Sequence, residues 1–63
     1  METRTYYVPA NRIGRYLLNY MIDRIGCSIS HIRKVNDTLA VVVTTTKRDI
    51  QKVDRILQMY DLA

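Results

Sequence analysis

The chain offers few side chains able to do covalent chemistry. Cys27 is its one thiol and His31 its one imidazole. In an extended segment four residues separate the two by about 13 Å, too far for a thiol and its base to meet locally. A zinc centre draws on four Cys, His or carboxylate ligands, and with one Cys and one His such a site would need several chains. The six acidic residues are scattered singly. Two glycines are too few for the glycine-rich loops that cradle dinucleotides or nucleoside triphosphates. The expectation is a non-enzyme with no metal and no cofactor.

Binding is better represented than catalysis. Arg12, Tyr16, Tyr20 and Arg24 are spaced by four, so on a helix they form one ridge flanking the apolar face. Tyr and Arg anchor interfaces because each buries a large area while keeping a polar handle. With Arg15 they make up a candidate partner-binding surface. The bland alternative is that Tyr16 and Tyr20 lap over the rim of the core with their hydroxyls in water. Residues 1–34 hold six basic and two acidic side chains, whereas residues 35–63 hold four of each, so the first half carries the whole net charge of +4. That bias would steer nucleic acid or an acidic protein toward one side, or it is simply a solvated surface with a slight excess.

The elements that must position these residues read as one unit. Sixty-three residues make a single small domain, 1–63, which buries only about 60% of the surface its unfolded chain exposes. A hydrophobic fraction of 48% with 25% charged residues is ordinary for a folding chain. The longest apolar run is five residues, Leu39 to Val43, far below the roughly 20 of a membrane span. No basic-then-apolar signal segment opens the chain, so a cytoplasmic protein without a membrane is expected, and one cysteine implies no oxidising compartment.

Thr3 to Val8 is rich in β-branched and aromatic residues and stops at Pro9, which predicts a strand. Ile13, Leu17, Leu18, Met21, Ile22 and Ile25 then recur at helical spacing, with Asn11 placed to cap the start and Gly26 to cap the end. Gly14 falls within the apolar face, so it implies close approach of backbones. Ser28 to Val35 and Thr38 to Thr45 around Asn36-Asp37 predict a hairpin. Thr46 and Asp49 resemble a capping box before a second helix with the stripe Ile50, Val53, Leu57 and Tyr60. The order βαββα predicts an α+β two-layer sandwich: a three-stranded, mainly antiparallel sheet with both helices on one face. Yet Leu39 to Val43 is apolar at every position, the mark of a strand covered on both sides. A second copy, a partner protein or a ligand could cover the open face, and a second copy is the economical solution; the alternative is a face left partly wet, softened by alanine and threonine. Tyr6, Ala40 and Val42 are its expected oligomer interface, and the expected assembly is a homodimer.

The segment Asn11-Arg12-Ile13-Gly14-Arg15-Tyr16-Leu17-Leu18, followed by Ile25-Gly26-Cys27-Ser28-Ile29-Ser30 and Leu39 to Val43, resembles the small ligand-sensing ACT domain. The likeness spans about 50 residues and implies a ferredoxin-like fold lacking its last strand, with the first strand left as an edge. It also implies an amino acid bound at the Pro9 to Gly14 loop, with Asn11 and Gly14 as ligand-contacting positions. Ile13 stands where the family often has a proline. The functional expectation is a small self-associating regulatory protein that occupies a partner protein or a small effector, of a size that suits an inhibitor from a phage or mobile element. Its alternative is a nucleic-acid binder using the basic N-terminal half.

Overall fold

The computed structural model describes residues 1–62. Strand β1 (Glu2–Pro9) leads into helix α1 (Arg12–Tyr20), which continues as a π-helical segment, Met21–Ile25. Strands β2 (Ser28–Val35) and β3 (Thr38–Thr45) follow as a hairpin, and helix α2 (Lys47–Met59) closes the described chain. The sheet order is β1-β3-β2, with β3 antiparallel to both neighbours. This is the α+β arrangement expected from the pattern. It makes the most apolar strand the central one and leaves β1 and β2 as edges. Among the described residues no helix is long and apolar enough to cross a membrane.

Local chemistry explains the junctions. The Asn11 side-chain oxygen accepts from the Gly14 amide at 3.1 Å and caps α1. The missing side chain of Gly14 is a requirement of packing, because a Cβ there would overlap the Pro9 carbonyl. Gly26 ends the π segment at φ +85°, a left-handed conformation in which its amide reaches the Met21 carbonyl. Asn36 takes the positive φ of the hairpin turn, which asparagine tolerates better than most residues. Thr46 caps α2 by accepting from the Asp49 amide at 3.3 Å.

The core lies between the helices and one face of the sheet. Leu17 and Met21 pack with Ile50, Val53 and Leu57 over Val8, Val41 and Val43. Tyr6 joins them, and its hydroxyl donates to Asp54 at 3.0 Å, which fastens β1 to α2. Three expectations need correction. Tyr6 does not share a face with Ala40 and Val42: it pairs with Val41 and points into the helix layer, whereas Tyr7, paired with Ala40, is the tyrosine on the open face. The one-residue difference reverses the side because strand side chains alternate. Ile13 and Ile22 are 47% and 44% exposed. They sit roughly 80–100° from Gly14 around the helix, at the margins of a stripe whose middle alone reaches the narrow sheet. Tyr60 lies past the end of α2 and is exposed, so it rims the core rather than filling it.

Candidate functional site

Two outer surfaces bring chemistry-bearing residues together. The first is the face of the sheet opposite the helices. Pairing places Tyr7, Ala40 and Arg33 in one row and Thr5, Val42 and His31 in the next. Thr3 and Thr44 share a hydroxyl hydrogen bond of 3.0 Å in the row beyond. Ala40 and Val42 are only half-buried by these neighbours, and Tyr7 is 61% exposed. An irregularity between Ile29 and His31 re-aims β2 here, with the Ser30 hydroxyl donating to the Val42 carbonyl at 3.3 Å. Among the described residues the face carries no carboxylate: Glu2, the one acidic residue in the three strands, pairs with the buried Thr45 on the helix side.

The second surface is the seam between the helices. Tyr16 stands 6.2 Å from Tyr20 and 6.4 Å from Tyr60, ring centre to ring centre, in tilted contacts. Such separations fall in the range where aromatic quadrupoles attract. Further along, Tyr20, Arg24 and Ile25 face Lys52, Ile56 and Met59 across a groove of about 310 Å³, with Arg55 on its wall. Tyr16 meets the end of α2 while Arg24 meets its middle, so the two helical segments run antiparallel. The π segment matters to this alignment. A π turn holds more residues than an α turn, so the four-residue step from Tyr20 to Arg24 falls short of a full turn and offsets the overshoot of the preceding α-helical step. Arg24 thereby stays in line with Tyr16 and Tyr20.

Among the sequence-derived site residues, Tyr16, Tyr20 and Arg24 are brought together and Arg12 and Arg15 are exposed on the first turns of the same helix. Asn11 and Gly14 are engaged within the chain, one as a helix cap and the other against Pro9. Sequence reasoning missed Lys52, Arg55 and Met59. Their signal was present, since Arg48, Lys52, Arg55 and Met59 recur at three- and four-residue steps on the side of α2 away from its apolar stripe.

The remaining reactive groups are turned away from one another. Cys27 is buried in the core, where burial pushes its thiol up and away from the reactive thiolate. His31 pairs with Val42 on the open face, on the other side of the sheet. Burial, and next the hydrogen bond to Asp54, push the Tyr6 hydroxyl up to about 12. Arg4 reaches Asp54 at 3.5 Å on the exposed side of that carboxylate. No known protein family, curated protein or solved structure matches this chain.

Proposed function

We propose that this chain is a small non-enzymatic binding protein that self-associates through the open face of its sheet. The observation that carries the reading is the pairing of Tyr7, Ala40 and Val42 on a face that none of the described elements covers. The centre of that face is alanine, valine and threonine, and its cation-bearing residue, Arg33, lies on the β2 margin. A second copy rotated by a two-fold axis therefore meets neutral surface at the middle, the arrangement an isologous contact needs. Three strands of eight residues present roughly 14 by 26 Å, less than the ~800 Å² per partner of a standard interface, so the association is weak and concentration-dependent.

Sedimentation across a concentration series tests this directly. Half-dimerisation is expected at about tens of micromolar, and Val42→Lys shifts the protein to monomer without unfolding it, because the new side chain points away from the core. A wild-type chain that stays monomeric up to about 1 mM removes the reading. The amino-acid site implied by the ACT resemblance would have to compete with the contacts that Asn11 and Gly14 already make, and a ligand-induced melting shift abolished by Asn11→Ala is its test.

A second reading is favoured by one observation. Tyr7, His31 and Arg33 share the open face with no carboxylate beside them among the described residues, which is chemistry suited to stacking on single-stranded bases. Binding of an oligonucleotide that weakens steeply with salt and is lost in Tyr7→Ala supports it. No retardation at low salt disposes of it.

A further inference from the structure

We propose that the seam between α1 with its π segment and α2 is a docking groove for an acidic, amphipathic helical segment of a partner protein. The inference concerns the opposite layer from the sheet face and stands whether or not the chain self-associates.

Charge chooses the partner. Arg24, Lys52 and Arg55 converge on the groove. Within 4 Å, among the described residues, Arg24 and Arg55 have no carboxylate, and Lys52 has only Asp49 at 3.6 Å. In that last pair Lys52 is exposed while Asp49 is half-buried, so water screens the contact from the Lys52 side and it holds Lys52 weakly. These cations are free to meet carboxylates supplied from outside. A second copy is a poor occupant, because it would bring six such cations into one contact, three from each chain.

The apolar part of the groove chooses between macromolecules. Its floor is the half-buried Ile25 and Ile56, and Met59 stands 75% exposed at its lip. A phosphate backbone gains nothing from that floor, since its contacts are electrostatic. Leucine-like anchors of an amphipathic helix would fill it. A methionine at the lip adapts to irregular side chains, and the tyrosines beyond it supply large, rigid contact area. The length agrees as well. From Tyr16 to Arg24 the seam runs about 12 Å at helical rise, which matches apolar anchors at i, i+4 and i+7. The apolar floor receives the anchors, and the cations on its walls receive the acidic residues beside them.

The experiment uses the full chain and a defined probe: a synthetic helical peptide of about four turns, with leucines at i, i+4 and i+7 and glutamates elsewhere. Its counterpart with lysines in place of the glutamates is the control, and a single-stranded oligonucleotide is the third arm. Amide nitrogen–proton NMR spectra report where each binds. The glutamate peptide is expected to move amides of residues 16–25 and 52–60 with submillimolar affinity, while the lysine peptide moves none. Arg24→Glu with Arg55→Glu lowers that affinity at least about tenfold without changing the melting temperature or the sedimentation of the chain. Should that pair disturb folding, Arg24→Gln with Arg55→Gln reads the same effect at smaller amplitude. Met59→Ala weakens binding about threefold, a few tenths of a decade. The proposal falls if no shift occurs up to about 1 mM, if both peptides bind alike, or if the shifts map to the sheet. It also falls if the oligonucleotide binds the seam more tightly than the glutamate peptide, an outcome that assigns the groove to nucleic acid.

Discussion

The open sheet face and the helix seam lie on opposite sides of one thin protein, yet they present different chemistry. On the sheet face the middle is neutral and built from short, β-branched side chains held in register by β3. At the seam the middle is apolar but its walls are three cations on long side chains. A neutral surface can meet its own copy, whereas a cationic one repels it and selects an acidic partner. The same two-layer packing therefore puts a neutral face, where we propose self-association, and a cationic groove, where we propose an acidic partner, on different sides. Tyr6 and Tyr7 show how sharp that separation is, since adjacent residues in one strand belong to different sides.

The strongest way to break both surfaces at once is Gly14→Ala. The added methyl would overlap the Pro9 carbonyl, which is backbone and cannot swing aside. A loss of about 3 kcal/mol or more is expected, enough to unfold much of a chain this small, and denaturant titration measures it.

Alkaline pH acts next, through Tyr6 on the helix side. Tyr6 ionises near 10.0 without its surroundings and at about 12 with them. Its contribution is thus fully present below about pH 10 and is lost as the pH rises toward 12. The amount is roughly 2–3 kcal/mol. Thermal melts from pH 8 to 12 should show that decline in the wild type and a flatter profile in Tyr6→Phe. Self-association at neutral pH should be unchanged in Tyr6→Phe and weakened in Tyr7→Ala. If instead Tyr6→Phe splits the oligomer, the assignment of the two tyrosines to opposite sides is wrong.

Asn11→Ala removes the cap of α1 and is expected to cost about 1 kcal/mol, read in the same titrations, with both surfaces still assembled at low temperature. Arg55→Ala is expected to have the smallest effect, within about 0.5 kcal/mol, because the guanidinium has no carboxylate partner within 4 Å among the described residues. A larger loss would mean that Arg55 supports the fold rather than a partner.

Much of the architecture was readable from residue order. The strand limits Ser28–Val35 and Thr38–Thr45, the Asn11 cap, the Gly26 stop and the Thr46 cap follow from turn chemistry and periodicity, which act over a few neighbouring residues. The close approach at Gly14 was also legible, because a glycine on an apolar helical face has few other uses. The π segment was not. Nothing in the residue types of Met21 to Ile25 calls for the wider turn.

Sequence by itself determined that this chain makes three strands and two helices, that its most apolar strand carries apolar side chains on both faces, and that its basic residues outnumber its acidic ones. Only the tertiary structure decided which side each residue serves. By sequence the excess charge belongs to the first half; in space Arg24 from that half joins Lys52 and Arg55 from the neutral half to make one basic groove. The reason is that helix and strand periods assign faces within an element, while the pairing of faces between elements depends on register and packing, which arise only when the chain closes on itself.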